Sequence, residues 1–264
     1  MRVFAISDLH TDFKANKSLL EQLSLTAYQQ DVLLVAGDIA DRLSIIAETL
    51  VLLRARFAEV FYVLGNHELW VRNQVGNSLE KLYKVIRLCD GLGIRTRPDS
   101  VGNLRVVPLF SWYDESFDVD GTADLASLEG WADRYFCKWP SEIEPVAQFF
   151  LRMNESRLNS SGGLTISLSH FLPRRDLLPP TESLRFKGLP RVAGCLELDE
   201  QIRRLGSSIH VFGHTHINCD LTLDGVRYVQ NALKYPKEHR TQPEILKLIL
   251  DTTATFLKSP DTDV

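Results

Sequence analysis

Five short apolar runs each end on a carboxylate, an imidazole or an amide, and that recurrence constrains the fold more than any other feature. Val3–Ser7 leads into Asp8 and His10, Val32–Ala36 into Asp38 and Asp41, and Val60–Leu64 into Asn66 and His67. Leu164–Ser169 ends at His170, and Ser208–Phe212 ends at His214 and His216. Runs of this length and β-branched content suit buried strands. Between the first three, Lys14–Ala27 and Leu43–Phe57 have the apolar spacing of helices. Strand and helix alternating with short joins implies parallel strands and right-handed crossovers. All three strand ends then reach one sheet edge, the crevice where open α/β sheets build their sites. Asp8, His10, Asp38, Asn66 and His67 are expected to meet there.

Further along, Arg72–Cys89 reads as a helix, Leu104–Phe110 as a strand after a Gly102-Asn103 turn, and Ser141–Leu158 as a helix. From 111 to 145 the composition shifts, with Trp112, Trp131 and Trp139 set among Asp and Glu. This segment either caps a site and selects substrate or buries its rings locally, and loops are where specificity usually resides. Ser160–Gly163 is a loop. Phe171–Ala193 is long and Pro-containing, with a basic run, Arg174–Arg191, that reads as solvated surface. Glu197–Leu205 is a helix. Leu221–Leu223 and Val226–Val229 form a hairpin through Asp224-Gly225. Glu244–Leu250 fits a last strand or a helix, and Lys258–Val264 is a tail. The expected organisation is one domain over 1–264 with a cap-like insertion at 111–145.

A chain of 264 residues can bury a large core. Its net charge of −4 gives no electrostatic case for nucleic acid, and no apolar run is long enough for a membrane span. The four cysteines are scattered with no CxxC pair, as expected of reduced, packed thiols. With no signal-peptide pattern near Met1, a cytoplasmic setting is expected. Oligomeric state is not legible.

Any one of these histidines, alone, reads as a packed or solvated residue, and Asp38 or Asp41 as a helix N-cap. Five of the seven histidines placed alike at strand ends argue for a shared metal site. Carboxylate, imidazole and amide oxygen without cysteine suit Mn, Fe, Zn or Co. Two metals sharing a carboxylate sit roughly 3.5–4 Å apart, the spacing used for in-line displacement at phosphorus.

On Asp8-Leu9-His10, Gly37-Asp38-Ile39-Ala40-Asp41, Gly65-Asn66-His67-Glu68, His170 and Gly213-His214-Thr215-His216, the sequence resembles the calcineurin-like metallophosphoesterases. The resemblance implies an αββα sandwich of two mixed sheets with helices outside and a dinuclear metal site at the sheet edge. It implies that Asp8, His10 and His216 bind one metal, that Asn66, His170 and His214 bind the other, and that Asp38 bridges them. It implies a metal-dependent hydrolase of a small phosphomonoester or phosphodiester, in which a hydroxide between the metals attacks phosphorus. His67 would protonate the leaving group, with Asp41 orienting its ring. Arg42 is a candidate phosphate contact. Glu68 reads as structural, and Asn231 and Tyr235 resemble a tail segment of single-domain members.

Two alternatives stand beside this reading. A protein Ser/Thr phosphatase is disfavoured by the opening SDLHTD and by Leu43 after Arg42. A catalytically silent scaffold of the same fold would be expected to lack a ligand or the acid, and here all are present.

Overall fold

The computed structural model describes residues 1–72, 76–159, 162–241 and 243–252. The chain alternates β1 (Arg2–Ile6), α1 (Lys14–Glu21), β2 (Val32–Ala36), α2 (Leu43–Arg54), β3 (Glu59–Val63) and α3 (Ser78–Leu92). It continues with β4 (Asp99–Val101), β5 (Leu104–Pro108), α4 (Asp133–Phe136), α5 (Val146–Asn154), β6 (Leu164–Leu168), α6 (Glu197–Arg204) and β7 (Ile209–Phe212). The hairpin β8 (Cys219–Leu223) and β9 (Val226–Gln230), then β10 (Lys247–Asp251), complete the described chain.

Two sheets form, in the orders β10-β1-β2-β3 and β4-β5-β6-β7-β9-β8. β1, β2 and β3 are parallel, as the short crossovers require, and β10 closes that sheet antiparallel to β1. In the second sheet β5, β6, β7 and β9 are parallel, with antiparallel β4 and β8 at its edges. Alternate residues of each strand face the opposite sheet: Val3, Ala5, Leu34, Phe61, Val106, Ile166, Val211 and Val229 make one core between the sheets. The other faces, such as Phe4, Ile6, Leu33 and Tyr62, pack in a second core with Ile46, Leu50, Leu82 and Val85 of the helices. The result is the expected four-layer αββα sandwich.

Several boundaries differ from expectation for local reasons. α1 stops at Glu21 because the Ser24 hydroxyl accepts from the amides of Thr26 and Ala27, both at 3.2 Å, and folds the chain into a turn. α3 begins only at Ser78, where the Asn77 side chain caps the Glu80 amide. It ends at Gly93, whose φ of 68° is left-handed. Pro145 starts α5 rather than lying inside a helix begun at Ser141, since proline fits a helix start and disfavours helix before it. β4 was not anticipated; it pairs with β5 across the expected Gly102-Asn103 turn. The terminal strand is β10, shifted to Lys247–Asp251. Residues 160–161 of the loop, residues 73–75 within the helix expected over Arg72–Cys89, and the tail at 258–264 lie outside the described residues.

Two cations of the basic run are ion-paired. Arg174 pairs with Asp176 and Asp224, and Arg191 with Asp118 at 3.0 Å. All four cysteines are free. Among the described residues no helix is long and apolar enough to cross a membrane.

One buried group in β7 gives the stability a pH dependence. His210 is fully buried, with its two ring nitrogens at 2.8 and 2.9 Å from the hydroxyls of Ser167 and Ser169. Burial pushes its pKa down to about 3. The unfolded chain therefore takes up a proton near pH 6.5 that the native state refuses, so this contribution is present above pH 6.5 and is lost as pH falls toward 3. Urea unfolding of the metal-free protein across that window is expected to show a slope reduced in His210→Asn by up to about 1.4 kcal/mol per pH unit. Equal slopes would locate the proton uptake elsewhere.

Candidate metal centre

The cluster is assembled from loops that leave the strand ends with the backbone turned left-handed. Asp8, His10, Asp38, His214 and His216 all have positive φ, between 43° and 75°. Such conformations cost non-glycine residues about 1–2 kcal/mol each and are held by the surroundings. The surroundings here are backbone ties between loops: Asp8 N donates to Gly37 O (3.0 Å), His10 N to Asp38 O (2.9 Å) and Lys234 N to Asp8 O (3.0 Å). Gly37, at φ 84°, must stay bare, because a Cβ there would strike the His170 ring.

These turns bring ring nitrogens and carboxylate oxygens of Asp8, His10 and His216 within 4.8 Å of one another, and likewise those of Asp38, His170 and His214. His10, Asp38 and His67 form a third, overlapping group. His216 Nε2 lies 3.4 Å from Asp8 Oδ1, and His170 Nε2 3.4 Å from Asp38 Oδ1. Asn66 Oδ1 lies 3.1 Å from His170 Nε2 and 3.2 Å from His214 Nδ1. Almost every member is buried.

The outward nitrogens of three rings are occupied, which aims their other nitrogens at the cluster. His170 Nδ1 faces Ala36 O at 2.8 Å, His214 Nε2 faces Val192 O at 2.9 Å, and His216 Nδ1 faces Glu238 Oε2 at 2.7 Å. Hydrogen bonds of this kind fix tautomers in histidine metal sites. Burial pushes His10 and His214 down to about 3, so both rings are neutral and able to ligate. Burial acts to raise Asp38, but the neighbouring His170 and His67 hold it well below the usual carboxylate range. Imidazole nitrogens, carboxylates and one amide oxygen converging without cysteine fit a transition-metal centre.

Glu68 does not face the cluster. It accepts from the amides of Asp38, Ile39 and Gly65 at 3.1, 2.5 and 2.7 Å, and burial lifts its pKa to about 7. Asn231 ties β1 to the chain before β10 through Ala5 O.

Three placements change what the sequence suggested. Asp41 does not orient His67: its carboxylate pairs with the Arg72 guanidinium at 2.8 Å. His67 Nε2 lies 3.2 Å from the Tyr235 hydroxyl and 3.8 Å from Asp38 Oδ2. Arg42 is exposed at the start of α2, and the arginine lining the adjoining cleft is Arg72. That cleft, about 510 Å³, is walled by Phe13, Trp70 and Tyr235 and carries Asp12, His67 and Arg72. Tyr235 stacks on His10 with ring centroids 4.2 Å apart and planes at 21°. The aromatic segment buries part of its rings and also touches the cluster. Trp112 packs in the core against Trp139 and Phe171, while Trp131 reaches His214 edge-on. Sequence reasoning missed Glu238, Asp133 and Arg72, since none follows a strand and no spacing signals them.

The sandwich and its strand-end cluster define a metal-dependent phosphoesterase, and the chain belongs to the calcineurin-like phosphoesterase family, whose pattern it matches over residues 1–218. It is 31% identical over 262 residues to the [acyl-carrier-protein] phosphodiesterase PptH of Mycobacterium tuberculosis, covering 90% of this chain and 79% of that protein. The crystal structure of that phosphopantetheinyl hydrolase superposes with a TM-score of 0.81 and 29% identity, over 94% of this chain and 95% of the other.

Proposed function

We propose that this phosphoesterase is a phosphodiesterase that hydrolyses the linkage between a phosphopantetheinyl group and an acyl carrier protein. The observation that carries the reading is the likeness to the mycobacterial hydrolase along nearly the whole of both structures. The aromatic cleft beside the cluster, with Arg72 at its edge, supports it by offering apolar walls and a cation to one arm of a diester. The substrate is then larger than the small phosphoester expected from sequence.

In this reading Asp8, His10 and His216 hold one ion, Asn66, His170 and His214 a second, and Asp38 serves both. When bound, the two ions, Mn, Fe or Zn by the donor set, lower the pKa of water at the site and neutralise charge on the phosphoryl oxygens. His67 donates a proton to the departing alkoxide, held at the cleft wall by Tyr235 and by the face of Trp70 at 3.6 Å. Arg72, rather than Arg42, is the phosphate contact, and its pairing with Asp41 sets its direction. Residues 111–145 are an insertion capping this site within one domain. The free cysteines support a cytoplasmic location.

The test is incubation of the Mn²⁺-loaded chain with a phosphopantetheinylated carrier protein, read by intact-protein mass. Loss of the phosphopantetheinyl mass is expected. Hydrolysis of bis(p-nitrophenyl) phosphate with the carrier protein untouched would remove the substrate assignment and leave the phosphoesterase.

A further inference from the structure

The aromatic segment contributes one acid to the interior. Asp133, at the start of α4, is 2% exposed and has no ion-pair partner among the described residues. Its carboxylate is met by N–H donors instead. Asn66 Nδ2 donates to Oδ1 at 2.9 Å, Trp70 Nε1 to the same oxygen at 2.5 Å, and Trp131 Nε1 to Oδ2 at 3.1 Å.

The bond to Asn66 is the consequential one. A primary amide has an oxygen and an NH₂ of nearly the same shape, so its neighbours decide which end faces where. An ionised carboxylate only accepts, so Asp133 takes the NH₂ end. Asn66 Oδ1 is thereby sent to the opposite side, between His170 Nε2 and His214 Nδ1. Trp131, two residues earlier in the same segment, sets its ring edge-on to His214 with centroids 5.9 Å apart. Two contacts from one segment thus fall on the same half of the cluster. The other half, Asp8, His10 and His216, takes its support from Glu238 and Tyr235, beyond β9.

We propose that Asp133 is the positioning residue that presents Asn66 Oδ1 to the half of the cluster shared with His170 and His214. Through it the aromatic segment sets the metal affinity of that half and not of the other. The inference rests on the reading of Asn66 as a metal ligand. It gives the segment a role in holding the metal.

Calorimetric titration of the metal-stripped full chain with Mn²⁺ tests this without recourse to activity. The wild type is expected to bind two ions per chain. Asp133→Asn is expected to weaken one step by about 10–100-fold, the usual cost of losing an orienting partner, and to leave the other unchanged. An amide at 133 has one oxygen for three N–H donors, so its NH₂ must face either Trp131 Nε1 or the Asn66 and Trp70 donors, and the hold on the NH₂ end of Asn66 is weakened. The exchange variant Asn66→Asp/Asp133→Asn, made together with Trp70→Phe so that the NH₂ at 133 meets no second N–H donor, keeps one N–H···O bond between the two positions and still turns an oxygen to the histidines. It is expected to restore the weakened step to within about tenfold. A purely structural role would not produce that rescue. Both steps weakened equally, neither weakened, or no recovery in the exchange variant would each overturn the inference. A wild type that binds fewer than two ions overturns the ligand reading itself, and the inference with it.

Discussion

Replacing Asp38 by Asn is expected to reduce phosphodiester turnover by about 10³-fold and to lower the metal bound per chain. Asp38 has a carboxylate oxygen within 4.8 Å of a ring nitrogen of His10 in one half of the cluster and of His170 and His214 in the other; Oδ1 is 3.4 Å from His170 Nε2. The backbone needs a left-handed residue there, φ 58°, and Asn adopts that conformation as readily as Asp. Oδ1 also accepts the His67 amide at 3.0 Å, a bond that an Asn oxygen can keep. The substitution therefore removes the charge and one of two equivalent oxygens while leaving the loop in place. Metal content by elemental analysis, beside initial rates at saturating Mn²⁺, separates the effects. Full activity with two ions retained would end the assignment of Asp38 to both metals.

His67→Ala should act on the leaving group rather than on the cluster. The His67 Nε2 points to the Tyr235 hydroxyl at the cleft wall. A proton delivered from this side matters most when the departing alkoxide is strongly basic. Alkyl esters are expected to lose about 10²–10⁴-fold in kcat, and p-nitrophenyl esters, which leave with little help, about tenfold or less. Equal losses on the two ester types would count against proton donation. Tyr235→Phe, which removes only the hydroxyl near Nε2, is expected to lie between the wild type and His67→Ala on the alkyl ester.

Much of this site was legible because strand periodicity and chain order are local properties. Val32–Ala36 is wholly buried between two layers, so its five apolar residues announce a strand before any neighbour is known. The short crossover through α2 leaves little topological choice, and Asp38 and Asn66 must then emerge at one edge. Helix ends were less legible. The Ser24 hydroxyl competes for backbone amides, and the Asn77 cap lies well inside the apolar pattern that suggested a helix from Arg72. The pairing of Asp41 with His67 failed because a carboxylate five residues beyond a strand end has several directions open to it. Arg72 reaches it first, and the Arg72 guanidinium is held over the Phe136 ring at 4.3 Å.

The sequence by itself determined which groups reach the sheet edge and in what order, because burial forces the strands and short joins force their direction. Tertiary structure alone decided how each group is aimed. Glu238 turns the His216 ring across 22 positions, and Asp133 turns the Asn66 amide across 67. Neither bond has a local signature, since a buried polar group is satisfied by whatever donor or acceptor the packing brings to it, at any distance along the chain.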